Sequence, residues 1–329
     1  MAAPLRLVVW PGMPDRGALE EAGKRIGREL EIEVVSSNEG LEDLLESEPP
    51  FDLITPSDYL VEKLVAEGRL IDLSERFEGR RADFEDWARN PSWDPDERFC
   101  VPLAFGTTGL LHSSSRLPGV EFWSQFFDPD ERTTVGLLDE VREVVGAALI
   151  TAGHSPNETA VGPLADAALL LDAQRDSVGS VSSDDFTGPV ERGEVDAHQG
   201  RCGPASLSDR QNPDLAYVVP REGALLWVTT GAIPVDAPDP KAASRLLETL
   251  IEPELASLAV VNGGYSTPNR RAREVLSPEL RADRALFPDE ETIIRCQVLS
   301  SLSAEGERAM ADLLDRHAGG QGREVDSRT

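Results

Sequence analysis

The chain has 329 residues, 40% of them hydrophobic, and a formal net charge of −28. That length allows two domains of ordinary size around a substantial core. Its 60 acidic side chains repel phosphate and exclude nucleic acid as a partner, and no apolar run reaches the length of a membrane span.

From the N-terminus, strand and helix signals alternate. Leu5–Trp10 reads as a first strand, followed by a helix near residues 17–30 whose Leu19, Ala22, Ile26 and Leu30 share a face. Next come a strand at 32–35, a short helix around 41–45 and a strand at 51–55. Ser57 is placed to cap a helix that buries Leu60, Val61, Leu64 and Val65 and stops at Gly68. Such βαβ repetition predicts a mainly parallel sheet covered on both faces. A polar loop of about 74–98 interrupts it, and 101–112 reads as a strand leaving this first domain.

A second alternating region follows, with a strand at 135–138, a helix at 141–152 and further strands near Val195 and at 215–219. The apolar strand 225–234 then carries the chain back and runs into a well-signalled helix. Asp239 is its expected cap, Pro240 suits its first turn, and Ala243, Leu246, Leu247 and Leu250 recur on one face. A second Pro-led helix carries Leu255, Leu258 and Ala259, breaks at Gly263-Gly264 and emerges at Tyr265. An amphipathic helix at 302–316 closes the chain before a polar tail after Gly319.

The order strand, paired helices, Gly-Gly-Tyr and Thr-Pro-Asn over 227–269 resembles the spermidine/putrescine-binding proteins of bacterial ABC transporters. The likeness extends to Leu276-Ser277-Pro278-Glu279-Leu280 and to Phe287-Pro288-Asp289. It implies an α/β, two-lobed class II periplasmic-binding fold, with a mainly parallel sheet and flanking helices in each lobe. The implied lobes are discontinuous: 1–107 plus 229–273, and 108–228 plus 274–329, with ligand in the cleft between them and the crossing strands as hinges. Such clefts are favoured ligand sites.

A polyamine pocket needs carboxylates for ammonium groups and aromatic walls for the methylene chain. By the resemblance, Trp10, Tyr59, Trp227 and Tyr265 match aromatic walls, and Ser57 is a polar contact in the Pro-Ser-x-Tyr turn. Glu140 and Glu143 match the acidic turn that holds an amine. Four positions depart from the family pattern: Met13 replaces a tyrosine, Arg201 an aromatic wall, Thr229 an ammonium-binding aspartate and Leu299 a glutamine. Arg201 in a small cleft opposes a polycation, and losing the aspartate removes the anchor for one end of a diamine. Two readings stay open. Arg201 pairs internally with Glu140 or Glu143, or it binds a carboxylate or phosphate while the two glutamates hold an amine. The second makes the ligand zwitterionic or mono-amino rather than spermidine or putrescine.

Each position also has an ordinary explanation. A lone Trp or Tyr at a strand end is usually packing, and acids in a first helical turn favour the N-terminal dipole. What outweighs that explanation is the number of matches in register.

An enzyme or ligand sensor on the same fold is the alternative function. The candidate chemistry is His198 and Cys202 in Asp196-Ala-His-Gln-Gly-Arg-Cys202, with Glu140 or Glu143 as a general base by analogy of fold alone. On a strand they share a face but stand about 13 Å apart, beyond hydrogen-bond reach. No phosphate loop, dinucleotide glycine motif or HExxH pattern occurs. Cys100, Cys202 and Cys296 are unclustered, so neither a zinc site nor a disulfide framework is expected, and no cofactor is implied. The implied partners are a small amine-containing molecule and, for an exported protein, an ABC permease; the family expectation is a monomer. The family works outside the cytoplasm. Met-Ala-Ala-Pro leads directly into the first strand with no leader or lipoprotein cysteine, which leaves the cytosol as the alternative.

Overall fold

A computed structural model describes residues 3–35, 37–47 and 49–318. The tail after Gly319 lies outside the described residues. The chain divides into two compact units, 1–106 with 227–287 and 107–226 with 288–329. It passes from one to the other inside the strands Cys100–Ser113 and Leu225–Ala232, and again after Phe287.

In the first unit the strand Leu5–Val9 is central. It pairs in parallel with Leu30–Val34, from Leu5 opposite Leu30 to Val9 opposite Val34, and with Leu53–Ile54. The returning strand lies antiparallel to Leu53–Ile54, with Ile54 opposite Ala232. Leu5, Leu7, Val9 and Leu53 pack with Leu19 and Ala22 of the helix Arg16–Ile26 and with Leu246 and Leu247 of the helix Pro240–Leu250. The latter helix starts as its sequence dictates. Asp239 Oδ1 accepts the Ala242 N–H at 3.0 Å, and Pro240 occupies the first turn without wasting a donor. Asp239 also accepts from Arg28 Nη1 at 2.6 Å.

Three local expectations are corrected here. The first helix stops at Ile26, because Gly27 takes a left-handed conformation and Arg28 N–H closes onto Gly23 O; Leu30 opens the next strand instead. Ser57 occupies the N-cap position without capping, because its Oγ accepts from Asn38 Nδ2 at 2.7 Å. The loop 74–98 contains short helical turns, Ser74–Phe77, Glu78–Asp83 and Asp86–Ala88. Residues 274–287, placed in the second lobe by the sequence reading, belong to the first unit. There Phe287 stacks edgewise on Phe105 at 6.5 Å, and Ser266 Oγ donates to Leu286 O.

In the second unit Val135–Leu137 runs parallel to Val178–Val181 and Ala197–Arg201. The outgoing strand lies antiparallel to Ala197–Arg201, Thr108 opposite Arg201, and to Leu215–Val218. The helices Val141–Thr151, Val161–Gln174 and Ala304–Ala318 pack together over this sheet through Val144, Ala148, Ala167, Leu171, Met310 and Leu314. Gly136 is required where it stands: a methyl group there would lie 2.0 Å from His198 Cδ2.

Candidate functional site

The first unit gathers one set of side chains around the carboxyl end of its first strand, where open α/β sheets place ligands. Trp10 follows Val9, its backbone N–H reaching Thr55 Oγ1 at 3.3 Å, and the chain turns so that Met13 N–H donates to Trp10 O at 3.1 Å. Ser57 bridges to Thr229 across the backbone, and Thr229 Oγ1 contacts Met13 Sδ at 3.6 Å. Trp227 and Thr229 are two apart on one strand and therefore face the same way. Trp227 meets Tyr265 edge to face at 5.7 Å. Tyr265 is delivered by the end of the helix Pro253–Gly263, where Gly264 supplies the left-handed cap, and a methyl group on Gly12 would lie 3.6 Å from its ring. Trp10, Met13, Ser57, Trp227, Thr229 and Tyr265 are thus linked contact by contact, with Tyr59 in the first turn of the helix that follows Ser57. Met13 and Thr229 are buried, and the aromatic residues are half-buried.

The second unit gathers Glu140, Glu143 and Arg201. Glu140 is the N-cap residue of the helix Val141–Thr151, and Glu143 lies in its first turn. Arg201 ends the strand Ala197–Arg201 and heads the helix Cys202–Gln211, and its Nη2 pairs with Glu140 Oε1. Glu140 remains 42% exposed and Arg201 26%, so this is a partly solvated ion pair. Glu143 is different. It is only 7% exposed, and its Oε2 has no hydrogen-bond partner. Burial, reinforced by the negative charge of Glu140, pushes its carboxyl up to about 7 against the opposing pull of Arg201, Thr108 and Arg142.

Leu299 is half-buried and packs against the core of the second unit. Its loop is held by Arg142, whose Nη1 donates to Ser300 O at 3.2 Å, and by Asn157, whose Nδ2 donates to Val298 O at 3.0 Å. Arg142 therefore positions the loop that carries Leu299, a role the sequence did not assign. Gln199 was also missed. It is fully buried, donates to Glu143 O at 2.8 Å and leaves its Oε1 without a partner. Strand alternation places Gln199 on the same side as Arg201, and that spacing was the available signal.

His198 is not poised for acid–base work. Burial lowers its pKa to about 4, its Nδ1 engages Gln199 O at 2.6 Å, and its ring lies against Gly136 and Phe186. Cys202 is not on its strand, because the helix beginning at Cys202 takes Pro204 into its first turn; the strand spacing between His198 and Cys202 therefore does not apply. Cys100 and Cys202 are buried and Cys296 half-buried, all three as free thiols. Among the described residues no group of His, Cys, Asp and Glu is arranged to hold a metal ion, and no helix is long and apolar enough to cross a membrane.

The family model for bacterial extracellular solute-binding proteins matches residues 18–288. The spermidine/putrescine-binding periplasmic protein of Salmonella typhimurium is 30% identical over 290 residues, covering 86% of this chain and 83% of that protein. A putrescine/cadaverine-binding protein of Pseudomonas aeruginosa is 27% identical, covering 95% of this chain and 92% of its own length. Among solved structures, the spermidine/putrescine ABC transporter substrate-binding protein of Streptococcus pneumoniae superposes with a TM-score of 0.87 at 25% identity, covering 97% of this chain and 99% of that one. These neighbours have the two-lobed periplasmic-binding fold. The chain belongs to the bacterial extracellular solute-binding protein family, as an ABC-transporter receptor of the polyamine type.

Proposed function

We propose that this receptor binds a small ligand bearing a single ammonium group, with Glu143 as its anchor. The observation that carries this reading is the ion pair between Arg201 and Glu140. It occupies one of the two carboxylates in the acidic turn. Thr229, at the position of the family's other ammonium-binding acid, is neutral. Glu143 Oε2 and Gln199 Oε1 are both buried without a hydrogen-bond partner, and of the two only the Glu143 carboxylate can supply a countercharge to an ammonium. An ammonium brought to it supplies both the missing hydrogen bond and the countercharge that its burial withholds. A diamine would leave its second ammonium without a carboxylate and close to Arg201. The family's members work outside the cytoplasm, and the partner that receives the ligand is the permease of an ABC importer.

Isothermal titration of the wild-type protein with putrescine, spermidine and primary alkylamines tests the reading. Mono-amines should bind in preference to both polyamines. Arg201→Ala should release Glu140 for a second ammonium and raise putrescine affinity about tenfold, as expected for one charge-assisted hydrogen bond. Micromolar binding of spermidine or putrescine to the wild-type protein would refute it.

A further inference from the structure

Within the second unit the helices Val161–Gln174 and Ala304–Ala318 border a groove of about 620 Å³. Gly306 stands against Thr159 near one end, and at the other His317 lies close enough to Asp172 and Arg175 for their charges to act on it. The two helices therefore run in the same direction. The groove follows the chain from Val161 to Arg175, a length of about 20 Å at a helical rise of about 1.5 Å per residue.

Its walls are apolar along most of that length, with Leu164, Ala165 and Ala168 on one helix and Ala309 and Leu313 on the other. A helix as apolar as Val161–Gln174 is ordinarily covered on every side, yet Val161 is 86% exposed. The far end is polar. There Arg175 Nε and His317 Nδ1 are buried without a hydrogen-bond partner among the described residues. Such atoms need an explanation, and His317 is only 6% exposed. Trp93 Nε1 is another unpartnered buried donor, but the cavity that Trp93 lines measures about 30 Å³, room for one water. The groove differs in joining two such atoms to an apolar channel long enough for a ligand.

Chemistry decides what suits the polar end. Arg175 Nε can only donate, and burial holds the His317 imidazole below its ordinary 6.5, so the ring is neutral at pH 7 and free to carry its hydrogen on Nδ1. One carbonyl oxygen, with two lone pairs, accepts from both. An ammonium accepts from neither. A carboxylate gains no countercharge, because the charged lining residues balance: Arg175 Nη2 is paired with Asp172, and Arg316 stands one helical turn from Asp312. The C-terminal ends of both helices add partial negative charge there, which further disfavours an anion.

We propose that this groove is a separate ligand site for an uncharged amphiphile, an alkyl chain ending in a carbonyl group. The chain lies along Leu164, Ala165 and Ala168, and the carbonyl oxygen accepts from Arg175 Nε and His317 Nδ1. The Arg175 side chain is 41% exposed, which leaves its guanidinium room to turn toward the carbonyl. No residue of the groove belongs to the amine site, so the two readings stand or fall independently.

The test is calorimetry on the full chain with decanamide, decanoate, decylamine and octanamide, each below its aggregation limit. Decanamide should bind at least tenfold more tightly than decanoate or decylamine. Octanamide should bind about fifteenfold more weakly than decanamide, about fourfold for each buried methylene removed. Ala165→Trp fills the groove from an exposed position and should lower decanamide affinity at least tenfold while leaving urea denaturation unchanged. His317→Phe keeps a ring without the N–H and should weaken decanamide about tenfold and decylamine little. Failure of the wild-type protein to bind decanamide overturns the proposal, as does equal binding of decanamide and decanoate. Wild-type affinity for decanamide in either variant also overturns it, because the chain or the carbonyl then lies elsewhere.

Discussion

Glu143→Gln should make the ligand-free protein more stable at alkaline pH while removing its amine anchor. The Glu143 carboxyl is held at about 7 against an ordinary 4.5, chiefly by burial. At about 1.4 kcal/mol per pH unit, keeping this carboxylate ionised costs the folded state about 3 kcal/mol. Because the folded-state value is raised, the stabilising contribution of the protonated form is complete below the unfolded value. It is lost as pH rises through about 7. Gln has the same shape and does not titrate. The variant should therefore exceed the wild type by about 3 kcal/mol at pH 8, and by less than about 1 kcal/mol at pH 5.

Urea denaturation without ligand, at both pH values, measures this. Trp123 reports on the second unit, being fully buried with its Nε1 bonded to Gly223 O at 2.8 Å. Equal stabilities at pH 8, or a difference of the same size at pH 5, would refute the argument that Glu143 is buried without compensation. In the wild-type protein an ammonium ligand should recover the lost stability, so its stabilising effect should grow from pH 5 to pH 8.

Two further predictions concern the fold. Gly136→Ala puts a methyl group against the fully buried His198 ring and should cost about 1–3 kcal/mol in urea denaturation, the range for overpacking. His198→Ala should then cost less in that background than alone, and strict additivity would show that the ring had moved aside. Asp239→Ala removes the cap on Ala242 and the partner of Arg28, and should lower stability by about 1–2 kcal/mol at pH 7. The Arg28 hydrogen bond holds the Asp239 carboxyl below its ordinary 3.8, so the difference between variant and wild type should shrink as pH falls through that region.

Much of the fold was legible because its signals are local. The cap at Asp239, the proline after it and the four-residue recurrence of Ala243, Leu246, Leu247 and Leu250 each act within one or two helical turns. The helix Val161–Gln174 gave no such signal. It carries Leu164, Leu169, Leu170 and Leu171 among alanines, so its apolar positions surround the axis and show no period. Ser57 reads as a cap until Asn38, nineteen residues away, takes its hydroxyl. The same limit governs the site. Position along the chain could name Glu140, Glu143 and Arg201, but the choice of partner between residues 61 apart depends on how a strand end meets a helix start. The unequal burial of two glutamates three residues apart is likewise a property of packing.

The interleaving of the two units along the chain also bears on how the protein is made. Residues 1–106 contain three whole strands of the first unit, but the side of Leu53–Ile54 turned away from Leu5–Val9 has no partner until Ala232 is synthesised. About 120 residues intervene, on the order of ten seconds of translation. Of the helices that share a core with Leu5, Leu7 and Leu53, Arg16–Ile26 is made early, but Pro240–Leu250 and Pro253–Gly263 arrive later still. The first unit therefore completes its core only near the end of synthesis, through pairings distant in sequence that form slowly. Until then the nascent chain presents an open sheet edge and an incompletely covered apolar face, the form in which a chaperone would meet it.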